Sequence, residues 1–190
     1  MPFSKDRILT THVGSLPRPD HICELLLQKE RGELTSLEYF NDEITHAVDA
    51  IVAKQIACGV DIVSDGEFSK IGYANYIKDR LHGFSGDSER IPGADLKDFP
   101  GFAKILGEWR KNALPLPRPC CTGPISVKDW QPLHADIKAF NTAVNKHKPT
   151  GAFLNAASPG VIAVFQPDQH YGDHSQYLQA LSTVMREEYQ

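Results

Sequence analysis

Two carboxylates stand two residues apart in Asp65-Gly66-Glu67, directly after the apolar run 60–64. In extended chain that spacing puts both side chains on one face. Paired carboxylates at one mouth can bind an ammonium, hold a metal ion or do acid–base work. A solvated acidic loop is the plainer alternative. Ser15, after Gly14, offers a hydroxyl beside backbone amides, which suits a ligand carboxylate; it is equally a turn residue. No GxSxG pattern surrounds it, which argues against a hydrolase nucleophile. Trp130 follows GPISVKD, where an indole can stack on a flat cofactor or cap the core.

The eight histidines do not carry metal-ligand spacing. There is no HExxH, and His170 and His174 are separated by Gly172 and the capping residue Asp173, so no metal site is expected from them. Cysteines stand at 23, 58, 120 and 121 with no CxxC pair. They are too few for a disulfide scaffold and point to reduced thiols in a cytoplasm. Cys120-Cys121 falls on an expected strand, so its thiols face opposite ways and a buried structural role is the simpler one.

The elements that must position these groups follow from periodicity. Residues 8–13 and 60–64 read as buried strands, 118–122 as a third and 151–156 as a fourth. Each is closed by Gly or Pro. Between them, Ile22, Leu25 and Leu26 give one helix a face. Leu37, Phe40, Ile44, Ala47, Val48, Ile51, Val52 and Ile56 mark a longer helix with a capping box at Thr35 and Glu38. A helix is expected over 73–81, another over 133–146, and a last one after Asp173 and Gln176. Residues 82–116, rich in Gly, Pro and charge, read as an excursion within a single domain spanning 1–190. Strand–helix alternation implies a parallel sheet with helices outside, and strand C-terminal ends then carry the site.

Composition excludes several classes. A net charge of −4 makes a poor phosphate-backbone binder, so no nucleic acid is expected. With 41% apolar residues the chain can build a core, yet it holds no 18-residue apolar run for a membrane span and no apolar signal-peptide core. A closed eight-stranded barrel takes about 250 residues. At 190 residues the sequence suits an open sheet or a (β/α)8 TIM-barrel type of which it covers roughly the first four βα units.

Taken together, TTHVGSLPRP, GVDIVSDGEFSK, TGPISVKDW and NAASPGVIAVF resemble the catalytic barrel of cobalamin-independent methionine synthases and their short single-barrel relatives. The resemblance implies transfer of a methyl group from a methylated folate to a thiol such as homocysteine. In that family Zn²⁺ holds the sulfur as thiolate, and the donor's nitrogen leaving group needs protonation and alignment. By position, Val13, Gly14 and Ser15 would cradle the amino acid's carboxylate, Glu67 would pair with its ammonium, Asp65 would share that subsite, and Trp130 would lie against the pterin. Full-length synthases have His where this chain has Asp65, and Asp-Met where it has Gly72-Tyr73. The family's zinc ligands lie in the second half of the barrel, and none maps onto these 190 residues, so the isolated chain is expected to be inactive alone.

Two other classes fit the same pattern. One is a different barrel enzyme, a uroporphyrinogen-decarboxylase-like protein or a transferase acting on another thiol. The other is a non-catalytic half-barrel that forms a homo-oligomer or pairs with a partner through exposed sheet edges.

Overall fold

The computed structural model describes residues 4–73, 75–88, 93–111 and 117–190. Helix α1 (Asp20–Arg31) begins after Pro19 and ends on Gly32, whose φ of 71° lets its N–H close on Lys29. Helix α2 (Leu37–Ala57) is capped by Ser36, whose hydroxyl accepts from the Tyr39 N–H at 3.1 Å. The cap therefore sits one residue later than the Thr35 expected from sequence. Its apolar stripe is buried from Phe40 to Val52, as the periodicity requires.

Strand β1 (Ile62–Val63) pairs in parallel with β4 (Gly151–Ala152), in register Ile62 to Gly151. Thr11 bridges Ile62 on the other side, also in parallel. The expected strand 8–13 is thus one bridge, and both later strands are shorter than expected. Inside the helices, Ile22, Val52 and Val63 are wholly buried in a cluster that also takes Phe140 from helix α5 (Gln131–His147). Truncating Ile22 to Ala would cost about 2–5 kcal/mol through lost burial and a residual cavity.

The third expected strand is corrected. Strand β3 (Cys120–Val127) does not enter the parallel sheet, because β1 and β4 bond each other directly. It forms an antiparallel ladder with β2 (Leu81–Ser85), in a segment expected to be helix and excursion. The helix expected over 73–81 is confined to α3 (Ile77–Arg80). The ladder slips between His82 and Phe84, where Gly83 has a φ of 96°. A Cβ there would sit 2.8 Å from the carbonyl oxygens of Gly123 and Pro124, so only glycine permits this approach. The parallel sheet accordingly has three segments rather than four, and the described residues form no closed barrel.

Beyond β2 come a 3₁₀ turn (Ala94–Asp98) and helix α4 (Pro100–Lys111), which opens on a proline suited to a first turn. Ser158 caps α6 (Pro159–Phe165), and Asp173 caps α7 (His174–Tyr189) by accepting from the Gln176 N–H at 2.8 Å. Tyr177, Leu181 and Met185 of α7 close a second core over Tyr76, Ile77, Leu81, Cys121 and Ile162. No helix among the described residues is long and apolar enough to cross a membrane.

Candidate functional site

The parallel segments bring three polar side chains together just past their C-terminal ends. Ser15 follows the Thr11 bridge, Glu67 follows β1 and Asn155 follows β4. The Ser15 hydroxyl donates to Glu67 Oε2 at 2.6 Å, and the Asn155 amide donates to Glu67 Oε1 at 3.1 Å. Glu67 is 4% exposed. Among the described residues its carboxylate forms no ion pair with a lysine, arginine or histidine. A buried anion held by two neutral donors is short of a cation, since burial raises the cost of an uncompensated charge.

The scaffold behind it is layered. Gln55 of α2 donates to the Ser64 carbonyl at 2.8 Å and accepts from the Ser64 N–H at 3.1 Å, which locks the helix to the end of β1. The chain then turns through Gly66 and Glu67, with φ of 64° and 59°. Glu67 is a non-glycine residue in the left-handed region, a conformation that costs on the order of 1–2 kcal/mol and persists only where surroundings impose it. Leu16 N–H donates to the Gly66 carbonyl at 3.0 Å, joining the Ser15 loop to this turn.

The turn overrides the extended geometry expected for the acidic pair. Asp65 and Glu67 do not share a face. Asp65 Oδ1 accepts from the Glu67 N–H at 3.0 Å, and Oδ2 accepts from Lys70 Nζ at 3.2 Å. Gly14 has a φ of 100°, and a Cβ added there would meet nothing within 4 Å, so the loop is open on that side. Val13 is exposed next to it. Trp130 is not joined to Glu67. It starts α5, half-buried on the second core, and its indole N–H donates to Glu187 at 2.7 Å.

Asn155 escaped the sequence reading. It lies inside the expected strand 151–156, but that strand stops at Ala152, which frees Asn155 to act as a strand-end residue. Arg18, in the SLPRP stretch, carries no local signal of its role, and one arm of its guanidinium reaches the carbonyls of Glu67 at 2.6 Å and Lys70 at 2.9 Å. Burial lowers the pKa of the Arg18 guanidinium from its ordinary value, with the charges of Cys23, Glu67 and Asp65 acting in the opposite direction. Tyr73 and Tyr189 donate to the carbonyls of Ala156 and Ala157, at 2.7 and 2.6 Å. Burial foremost, then the carboxylates of Glu67 and Glu188, pushes the Tyr73 hydroxyl up from its ordinary value. Burial and Glu188 raise Tyr189 to about 12. Both therefore serve as neutral donors at neutral pH.

Behind Lys70 runs a buried line of charge. Arg80 pairs with Asp136 at 2.7 Å and with Glu188 at 2.5 Å. Tyr76 donates to Glu188 at 3.0 Å and accepts from the Ala157 N–H at 3.0 Å. The described residues contain no group of three His, Cys, Asp or Glu side chains arranged to hold a metal ion.

Residues 8–91 match the family described as the catalytic domain of cobalamin-independent synthase. Over that stretch, a little under half of its length, the chain is similar to this family. Ser15, Asp65 and Glu67 fall within the matched residues, and Trp130 and Asn155 beyond them. The chain is 27% identical over 175 residues to a 5-methyltetrahydropteroyltriglutamate–homocysteine methyltransferase of Cronobacter sakazakii, covering 83% of this chain and 23% of that protein. Its likeness to the Flavobacterium johnsoniae protein of the same name is 25% over 142 residues, 64% of this chain and 17% of the other. In fold it resembles a B12-independent methionine synthase from Shewanella sp. W3-18-1, solved in complex with selenomethionine. The TM-score is 0.67 at 19% identity, over 95% of this chain and 46% of that one. The chain thus spans less than half the length of each of these relatives, and its α/β architecture corresponds to part of their barrel.

Proposed function

We propose that the Ser15–Glu67–Asn155 cluster is an amino-acid subsite of a thiol methyltransferase, with homocysteine as acceptor and a methylated folate as donor. The single observation that carries this reading is the Glu67 carboxylate, buried under two neutral hydrogen-bond donors and, among the described residues, without an ion-pair partner. A ligand ammonium supplies that cation. Gly14 and Ser15 border the open side, where backbone amides and the hydroxyl suit the ligand's carboxylate. Trp130 keeps a solvent-facing part of its indole, and that surface is where a pterin would stack.

The methyl transfer itself breaks a nitrogen–carbon bond and forms a sulfur–carbon bond. Zinc in the family supplies a neutral-pH thiolate. The described residues of this chain do not fit a zinc ion, so none of its side chains is assigned to sulfur activation. What the chain contributes is binding and orientation of the amino-acid end.

Calorimetric titration of the 190-residue chain with L-homocysteine, under reducing conditions, tests the reading. Binding is expected for L-homocysteine and not for 4-mercaptobutyrate, which lacks only the ammonium. Glu67→Gln should weaken it at least tenfold, as loss of a charge-assisted contact does. Equal binding of both thiols would defeat the proposal.

A second reading is favoured by the sheet order Thr11–β1–β4, whose outer members each pair on one side among the described residues. Association through those edges would give a homo-oligomer, visible as a doubled mass in light scattering.

A further inference from the structure

We propose that Asp65, Lys70 and Arg18 are positioning residues that hold Glu67 in its left-handed conformation and so set the direction of its carboxylate toward an ammonium ligand. This rests on the reading of Glu67 as ammonium receptor, and it assigns Asp65 a role apart from ligand contact.

The geometry accounts for each group. Asp65 is 3% exposed and both of its oxygens are engaged within the turn, one on the Glu67 N–H and one on Lys70. Each oxygen of that carboxylate thus already has a partner of its own beside the turn. Lys70 is equally buried, spans to Asp136 at 3.9 Å and lies over the Tyr76 ring at 5.6 Å. Its ammonium gives the buried Asp65 carboxylate a partner of opposite charge. Arg18 takes hold of the other end of the same residue, donating to the Glu67 and Lys70 carbonyls rather than to the Glu67 carboxylate.

Both backbone polar groups of Glu67 are therefore held by charged side chains, the N–H by the Asp65 carboxylate and the C=O by the Arg18 guanidinium. That is what an unfavourable φ of 59° needs in order to persist. The arrangement also separates charge usefully. Among the described residues, the hydrogen bonds of the Arg18 guanidinium go to carbonyls, so the Glu67 carboxylate remains available to a cation from the ligand. A lysine or arginine on that carboxylate would instead satisfy it internally and exclude the ammonium.

The test uses the 190-residue chain labelled with ¹⁵N and ¹³C, in variants Asp65→Ala, Asp65→Asn, Arg18→Met and Arg18→Lys. The first readout is the Glu67 ¹³Cα shift, which reports left-handed backbone without any ligand. The second is the Kd for L-homocysteine. Asp65→Ala and Arg18→Met are expected to move the Glu67 shift toward ordinary helical or extended values and to weaken binding roughly tenfold. Asp65→Asn retains an oxygen that can accept from the Glu67 N–H and should recover part of both. If Asp65→Ala or Arg18→Met does not fold, Asp65→Asn and Arg18→Lys carry the test in the same direction at smaller amplitude. Folded variants whose Glu67 shift and affinity match the parent, with only the unfolding temperature lowered, would overturn the proposal. The underlying reading fails separately, if the parent chain ignores L-homocysteine. In that case the Glu67 shift alone decides whether Asp65 and Arg18 position it.

Discussion

The Asn155 amide meets Glu67 Oε1 at 3.1 Å from 88 residues away in sequence, while Ser15 holds the opposite oxygen at 2.6 Å. One carboxylate is thus the meeting point of three successive strand ends. Replacing Asn155 with Ala leaves Oε1 without its donor. Because the acceptor is charged, the loss should be about 1.5–3 kcal/mol in whatever Glu67 binds, or roughly ten- to a hundredfold in Kd. Titration with L-homocysteine measures it, and an unchanged Kd would remove Asn155 from the site.

Arg80 lies between Asp136 and Glu188 with side-chain exposures of 3%, 10% and 2%. Substituting Arg80 with Met strips the cation from two buried carboxylates. The expected cost is about 3–5 kcal/mol, far above a surface pair, because the remaining charges stay buried. Urea unfolding of the variant against the parent gives the number directly.

Asp61 gives the chain a predictable acid response. The Arg7 guanidinium foremost, then the Thr10 N–H, holds its carboxyl well below the ordinary carboxylate value. A depressed folded-state value means the contribution is fully present above the unfolded-state value near 4 and fades as pH falls below it. Asp61→Asn should therefore lower the unfolding temperature by a constant amount above about pH 5, and that difference should shrink steadily below about pH 4. A gap that widens on acidification would contradict this assignment.

Thiol chemistry separates the cysteines into two classes. Cys23 and Cys58 are exposed, whereas Cys120 and Cys121 are buried. Burial is the main cause pushing the Cys121 thiol up to about 11, so little thiolate forms there at neutral pH. Brief maleimide treatment of the folded chain, read by intact mass, should add two labels. Two more should follow only in denaturant.

Metal content bears on how the active unit is assembled. The chain as it stands should bind no stoichiometric zinc, since its described residues gather no three-ligand group. Elemental analysis after dialysis checks this. One tightly held zinc per chain would contradict this expectation.

The local patterns were readable because they depend on near neighbours. The α2 stripe, the Asp173 cap and the strand-end positions of Ser15 and Glu67 follow from period and punctuation alone. What escaped was set by partners distant in sequence. Residues 118–122 have strand character, but nothing local says that they pair with Leu81–Ser85 rather than with β1. The extended geometry assigned to Asp65 and Glu67 failed for a similar reason. The left-handed Glu67 is held at its carbonyl by Arg18, whose reach across 49 residues a two-residue spacing cannot convey. Asn155 was hidden by a boundary, since β4 ends three residues before it.

The antiparallel ladder inserted between β1 and β4 has a consequence for how a growing chain matures. Ile62 cannot find Gly151 until the whole detour has been synthesised, so this parallel pairing forms late and at a high entropic price of loop closure. The underside of the detour waits longer still, because Leu81 and Cys121 are covered by Tyr177, Leu181 and Met185 from the last helix. A ribosome paused before residue 174 would therefore display a greasy, half-built ladder, an inviting target for a chaperone.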